Sequence, residues 1–119
     1  MDDLQHLTDA ANRFRDDRDW RQFHTPKDLA TGLSIEAAEV LEHFLWKDGA
    51  KVKAYLESGG KVELRKELAD VMIYLLFISH DLGIDLGQAV LDKLEENARK
   101  YPVEMAKGRS DKYTAYQKA

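Results

Sequence analysis

Hydrophobic residues recur along most of this chain at the spacing of an α-helix. Near the N-terminus, Leu4, Leu7, Ala11 and Phe14 follow one another at intervals of three or four residues, which places them on one helical face. Only 2 prolines and 7 glycines interrupt such periodic stretches. The pattern predicts an all-α fold. Its main helices are expected at about residues 3–18, 26–46, 61–81 and 86–100, with a short extra helix at about 50–57.

The limits of these helices follow from local signals. Thr25 is a good N-cap, Pro26 fits the first turn, and Asp28 complements the helix dipole. Pro102 ends the last long helix. Residues 103–119 are polar and are expected to form a C-terminal arm. At this length the whole chain, 1–119, is predicted to be a single domain.

The stretch 61–81 is apolar around most of its circumference, outside one acidic face. A small monomer does not need so much apolar surface on a single helix, and the excess predicts a subunit interface. The sequence therefore predicts self-association. The apolar positions are Leu64, Leu68, Val71, Ile73, Leu75, Leu76 and Ile78.

Two pairs of acidic residues lie within apolar helical stretches. Glu36 and Glu39 form one pair, and Glu67 and Asp70 form the other, both with i, i+3 spacing. On a helix such residues lie about 60° apart, one turn from each other. Carboxylates in apolar surroundings repel one another and lose hydration, and a divalent cation relieves both costs. Oxygen ligands favour Mg²⁺, with Mn²⁺ as a substitute.

Other interpretations of the acids are weaker. A single pair at this spacing is usually a solvated surface, but two pairs with apolar neighbours favour a metal site. A di-iron bundle requires Glu-x-x-His on two helices. His43 follows Glu39 by four residues and His80 follows a phenylalanine by three, so the chain lacks that motif. Glu42 either extends the acidic cluster or is simply solvated.

The aromatic residues around the first acid pair have two interpretations. Trp20 and His24 precede the second helix, and Trp46 lies at its expected end. Tyr74 follows Asp70 by four residues, on the acidic face. Aromatic side chains at helix ends often only fill the core, but they can also stack on a nucleobase. In the last long helix, Lys93 and Asn97 share a face and can reach phosphate, although cations there also complement the dipole.

The composition excludes several functional classes. The chain has no cysteine and a net charge of −4 without a basic block, so disulfides, thiolate metal sites and nucleic acid partners are not expected. No apolar stretch reaches membrane-spanning length, and the first ten residues do not form a signal peptide. A cytoplasmic location is therefore expected.

Four segments of the chain resemble a known family. The acid signature is similar to that of the all-α nucleoside triphosphate pyrophosphohydrolases, the MazG-like superfamily, and other segments resemble its dCTP pyrophosphatase branch. Where animal members of that branch carry a histidine in the first helix, this chain has Ala11 and Asn12. The similar segments run over residues 18–24 (RDWRQFH), 36–47 (ending in FLWK), 67–74 (ELADVMIY) and 97–102 (NARKYP).

The resemblance implies a Mg²⁺-dependent enzyme that cleaves a nucleoside triphosphate between its α- and β-phosphates, with dCTP or a modified pyrimidine relative as substrate. It also implies a dimer or tetramer and a role in nucleotide-pool sanitation. A broad-specificity pyrophosphatase and a non-catalytic helical oligomerisation module remain alternatives. The implied roles are metal binding by Glu36, Glu39, Glu67 and Asp70, proton abstraction by Glu36 or Glu39, base binding by Trp20, His24, Trp46 and Tyr74, and phosphate binding by Lys93, Asn97, Lys100, Tyr101 and Arg109.

Overall fold

The structure is a computed structural model that describes residues 3–110 and 113–116. Those residues contain helices and turns and no strand, which confirms the all-α prediction. None of the helices in this part of the chain combines the length and the apolar character needed to cross a membrane. The helices are α1 (Asp3–Asp17), α2 (Pro26–Glu42), α3 (Gly49–Tyr55), α4 (Lys61–Asp81), α5 (Leu86–Lys100) and α6 (Val103–Ala106), with 3₁₀ turns at Arg21–Phe23 and Tyr113–Tyr116.

Side-chain caps fix the starts of three helices. The Thr25 hydroxyl accepts a hydrogen bond from the Asp28 N–H at 3.1 Å, which confirms the predicted start of α2. The Asp48 carboxylate caps α3 in the same way, and the Asp85 carboxylate accepts from the Gln88 N–H at 3.0 Å at the start of α5. Each cap satisfies a backbone donor that has no partner inside its helix.

The second helix is shorter than expected, because α2 ends at Glu42 rather than near residue 46. Beyond this point the backbone bonds tighten to i→i−3, as in the 2.9 Å bond from the Phe44 N–H to the Leu41 carbonyl. Trp46 then adopts a positive φ of 61°, which a helix cannot contain. The aromatic residue expected on the helix thus lies on the turn between α2 and α3.

A wide turn at Leu56–Gly60 joins α3 to α4. Gly59 has a φ of 114°, which side chains rarely tolerate. Gly60 is buried, and a Cβ there would lie 2.4 Å from the Tyr55 ring. The Tyr55 ring therefore packs directly against the backbone of this turn.

The chain divides into two compact units, Met1–Ile84 and Asp85–Ala119. In the first unit α4 packs against both α1 and α2, and Leu29, Leu76 and Phe77 form its most buried apolar group. The single-domain organisation stays a prediction. In the second unit α5 contacts the 3₁₀ turn at Tyr113–Tyr116. The predicted arm thus contains α6 and this turn, while residues 111–112 and 117–119 lie outside the described residues.

Candidate metal centre and adjoining cleft

The packing of α2 on α4 brings the two acid pairs together. Ligand oxygens of Glu36, Glu67 and Asp70 all lie within 4.8 Å of one another. Glu39 also belongs to this group, since hydrogen bonding with its carboxyl and repulsion by its charge raise the pKa of both Glu36 and Glu67. We call these four residues the acid cluster. Their service as metal ligands stays a prediction, but the structure places them where one cation can reach several of them.

Two oxygens of the acid cluster lack partners. Glu36 Oε2 and Glu67 Oε2 are buried, and neither has a hydrogen-bond partner among the described residues. Burial first, and then hydrogen bonding and repulsion with Glu39, raise the pKa of Glu36 to about 7. Hydrogen bonding with Glu39, followed by burial, raises the pKa of Glu67 as well. Buried oxygens without partners are costly, and a hard divalent cation supplies the missing interaction. The donor set therefore fits Mg²⁺ or Mn²⁺.

An apolar cleft of about 640 Å³ opens beside the acid cluster. Glu36 and Asp70 line it together with side chains from α1 and α4. A cleft with apolar walls and a few charged groups is typical of a small-molecule site. The apolar and aromatic lining includes Leu7, Ala11, Phe14, Trp20, Met72, Ile73, Tyr74 and Leu76.

Two aromatic walls of this cleft are held by close contacts. The Tyr74 ring lies over Gly32 of α2, where an added Cβ would be 2.4 Å from Tyr74 Cε1. The Trp20 ring meets Phe14 edge to face, with ring centroids 5.5 Å apart. In addition, the backbone N–H of Trp20 donates to the Arg15 carbonyl oxygen at 2.9 Å. Trp20 and Tyr74, both predicted to bind the base, are thus fixed in the cleft wall.

Behind this wall lies a buried ionic network that the sequence analysis did not identify. The Arg15 side chain is 0% exposed and pairs with Asp81 at the end of α4. Its guanidinium also donates to Asn12 Oδ1 at 2.9 and 3.1 Å and stacks 4.5 Å from the centroid of Phe77. One signal in the sequence was available, since Arg15 follows Ala11 by four residues on the apolar face of α1.

His24, a predicted base-binding residue, belongs to this network. Its Nδ1 lies 3.3 Å from Arg15 Nη1, which donates to it, and its ring lies 5.3 Å from that of Phe77. Burial and the neighbouring Arg15 charge lower the pKa of His24. Among the described residues, His24 does not line the apolar cleft. The structure thus gives its side chain partners within the protein.

The other base-binding candidate, Trp46, also lies outside the cleft lining. It is 88% exposed on the turn after α2. Base binding by Trp46 and His24 stays a prediction, while Trp20 and Tyr74 line the cleft.

The predicted phosphate-binding residues belong to the second unit, which is described by itself. Lys93 and Lys100 both form ion pairs with Glu96, at 3.3 and 3.2 Å. Their hydrogen bonds lower the pKa of the Glu96 carboxyl. The Asn97 carbonyl accepts from the Tyr101 N–H at 2.8 Å, and the Arg109 N–H donates to the Ala106 carbonyl at 2.9 Å. Phosphate binding by these five residues stays a prediction.

A second cavity, of about 440 Å³, lies beside the other two acids of the cluster. Unlike the apolar cleft, it is lined entirely by polar and charged side chains. Three of these, His43, Lys47 and Tyr55, were not predicted as site residues, although the segment FLWK that contains Lys47 was singled out for its resemblance. The lining consists of Glu39, Glu42, His43, Lys47, Tyr55 and Glu67.

Comparisons with known proteins place these features in context. Residues 32–115 match the family model described as MazG-like. Over 112 residues the chain is 40% identical to dCTP pyrophosphatase 1 of Homo sapiens and 39% identical to that of Bos taurus. These alignments cover 93% of this chain and 66% of each relative, so the chain spans just under two thirds of their length. The crystal structure of a pyrophosphatase from Archaeoglobus fulgidus DSM 4304 superimposes with a TM-score of 0.79 at 44% identity, over 86% of this chain and 94% of that one.

Proposed function

The chain belongs to the MazG-like family, and we propose on this basis that it is a divalent-cation-dependent nucleoside triphosphate pyrophosphohydrolase. Its products would be the nucleoside monophosphate and pyrophosphate. The observation that carries the proposal is the acid cluster, in which Glu36 and Glu67 each bury an oxygen without a partner. These acids adjoin an apolar cleft with aromatic walls, which is the combination that a metal-chelated nucleotide requires.

The reaction is the attack of water on the α-phosphorus. A new phosphorus–oxygen bond forms, the bond to the bridging oxygen of the β-phosphate breaks, and pyrophosphate leaves with the electron pair. Glu36, Glu39, Glu67 and Asp70 would hold the cation, which would offset phosphate charge and lower the pKa of the attacking water. Glu36 or Glu39 takes the proton of that water as the general base. The apolar cleft meanwhile orients the nucleoside and shields it from solvent.

The substrate that we propose is dCTP or a 5-modified pyrimidine relative. The support comes from the dCTP pyrophosphatases that this chain resembles and from the two rings, Trp20 and Tyr74, that line the cleft. Because stacking contributes about 1–3 kcal/mol per base, Trp20→Ala should raise KM roughly tenfold. A KM for Trp20→Ala equal to that of the wild type would remove Trp20 from the base site.

A panel of triphosphates tests the reaction and the base preference together. Purified protein with Mg²⁺ is offered dCTP, 5-methyl-dCTP, dTTP, dUTP, dATP and dGTP, and pyrophosphate release is measured. We expect dCTP and 5-methyl-dCTP to give the highest kcat/KM. Equal efficiency with the purines would favour the broad-specificity alternative, since aromatic stacking alone tolerates any base. Hydrolysis of no triphosphate would contradict the proposed function.

Self-association is part of the same proposal. Several large apolar side chains are more than half exposed on the chain, including Leu41 at 68%, Ile35 at 54% and Leu68 at 53%. Such surface is typical of subunit interfaces, and a dimer or tetramer would cover it. Light scattering at micromolar concentration checks this, and a stable monomer would contradict it. An inactive protein that nevertheless oligomerises would support the helical-module alternative.

Two further parts of the proposal concern the cell. A pyrophosphohydrolase of this substrate class would remove or balance nucleotides in the pool from which nucleic acids are made. We expect it in the cytoplasm, as the lack of cysteine indicates. Localisation of a tagged protein by microscopy checks the compartment.

A further inference from the structure

The acid cluster faces two chemically different spaces. Glu36 and Asp70 line the apolar cleft, whereas Glu39 and Glu67 line the polar cavity. Each of the two spaces is therefore lined by one acid from α2 and one acid from α4. A ligand that binds at the acid cluster can thus extend an apolar part into one space and a charged part into the other.

The polar cavity contains a lysine that lies among carboxylates without forming an ion pair with a described residue. Three carboxylates, those of Glu39, Glu42 and Glu67, line the cavity with Lys47. The Lys47 ammonium group nevertheless forms no ion pair or hydrogen bond with another residue in the described part of the chain. Instead it lies 4.6 Å from the centroid of the Tyr55 ring. That ring is fixed in turn by its contact with Gly60.

His43, which also lines the polar cavity, supplies a second hydrogen-bond donor there. The Tyr55 hydroxyl forms a hydrogen bond with His43 Nδ1. If the hydroxyl donates, neutral His43 carries its proton on Nε2. His43 Nε2 lies 3.8 Å from Glu67 Oε1, so this N–H points to the edge of the acid cluster. Tyr55 thus positions both Lys47 and His43.

We infer that the polar cavity is the subsite for the pyrophosphate leaving group, with Lys47 and the His43 Nε2–H as its contacts. This inference rests on the proposed function, which breaks the substrate at the acid cluster between the α- and β-phosphates. With the base in the apolar cleft, the β- and γ-phosphates extend past Glu39 and Glu67 into the polar cavity. The negative charge of these two acids is offset when they hold the cation, so that Lys47 can attract phosphate oxygens.

The inference is tested by measuring the binding of each product half separately. Imidodiphosphate, a pyrophosphate analogue that is not hydrolysed, and dCMP are each titrated into the protein with Mg²⁺ by calorimetry. We expect Lys47→Gln to weaken imidodiphosphate about tenfold, as the loss of a charge-assisted hydrogen bond should, and to change dCMP affinity less than twofold. Lys47→Arg should keep most of the affinity. Lys51→Gln, at an exposed lysine of α3, is the matched control and should behave as the wild type.

Circular dichroism of each variant confirms that its helices are intact before the affinities are compared. Equal imidodiphosphate affinity in Lys47→Gln and Lys51→Gln would overturn the subsite, even if the wild type hydrolyses triphosphates. An equal loss of imidodiphosphate and dCMP affinity would overturn it too, because Lys47 would then act on the whole site. If the wild type hydrolyses no triphosphate but binds imidodiphosphate through Lys47, the subsite stands and the proposed function fails.

Discussion

Helix α4 contributes to two clusters of charged groups that differ in one respect. At its C-terminal end Asp81 pairs with the fully buried Arg15 of α1. Nearer its start, Glu67 and Asp70 meet the acids of α2, and no lysine or arginine among the described residues pairs with them. The first cluster contains its own positive charge, whereas the second leaves two buried carboxylate oxygens without a partner in the described part of the chain.

The pKa values record this difference. Burial acts to raise the pKa of Asp81, but the hydrogen bonds and charge of Arg15 outweigh it, so that the pKa falls below its usual value. At Glu36 burial and the neighbouring acids act in the same direction, and the pKa rises to about 7. Opposite shifts on carboxylates in one small unit distinguish a structural ion pair from a site that is prepared for a ligand.

The largest effect should come from removing a charge from the acid cluster. Glu39→Gln or Asp70→Asn should lower kcat by about a thousandfold or more, because loss of cation binding removes several kcal/mol of transition-state stabilisation. Initial rates of pyrophosphate release measure this. Glu63→Gln is the matched control, since Glu63 lies on α4 but is exposed and pairs only with Lys66 among the described residues. Near-normal kcat in both acid variants would leave the cluster without a catalytic role.

Loss of the Arg15–Asp81 ion pair should lower the stability of the fold rather than the rate of the reaction. Arg15→Met leaves Asn12 without its partner and Asp81 with only the longer contact to Arg21, and it should lower the free energy of unfolding by about 3 kcal/mol. Chemical denaturation measures this loss. In Arg15→Met/Asp81→Leu, which removes both charges, most of the loss should be recovered. A single variant as stable as the wild type would contradict the structural role of the pair.

The acid cluster and the Arg15 network differ in how well they could be predicted from the sequence. Each acid pair was predictable because i, i+3 spacing places its two carboxylates on one face of a helix, although only the packing of α2 on α4 joins the two pairs into the acid cluster. The Arg15 network was missed because its ionic partner, Asp81, is 66 residues further along the chain and meets Arg15 only through the packing of α1 on α4. For the same reason His24 was interpreted as a base contact.

Helix ends and turns set the other limit on prediction. Thr25 gave the correct start of α2, since capping is a local property. The early end of α2 was not predicted, because nothing in the segment FLWK excludes a helix. The exposure of Trp46 and the role of Lys47 in the polar cavity both follow from that turn.

Magnesium should act on one cluster and leave the other unchanged. In the folded protein it relieves the repulsion among the acids, so saturating Mg²⁺ should raise the free energy of unfolding by up to about 3 kcal/mol at one hundred times Kd. Thermal melts with and without Mg²⁺ measure this. Glu39→Gln should reduce the gain, whereas Arg15→Met should show the full gain from its lower baseline. An unchanged melting temperature in the wild type would count against the metal site.

The smallest effect should be a pH dependence of the metal-free protein. Because the pKa of Glu36 is raised from 4.5 to about 7, the folded state binds its proton more tightly than the unfolded chain. Its contribution to stability is therefore full below pH 4.5 and is lost as the pH rises through 7. Asp81 acts in the opposite sense, since its lowered pKa gives stability above pH 3.8 that is lost as the pH falls.

His24, whose pKa is lowered from 6.5, adds stability with rising pH in part of the same window. The difference between the wild type and Glu36→Gln therefore cancels the contributions of Asp81 and His24 and leaves that of Glu36 with the acids coupled to it. With EDTA present, denaturation at pH 5 and pH 8 should show that Glu36→Gln gains stability relative to the wild type at pH 8 and gains less at pH 5. The gain should shrink when Mg²⁺ replaces EDTA, because the cation then stabilises the ionised acid. A difference that is constant with pH would mean that Glu36 titrates alike in the folded and unfolded states, and the contrast with Asp81 would disappear.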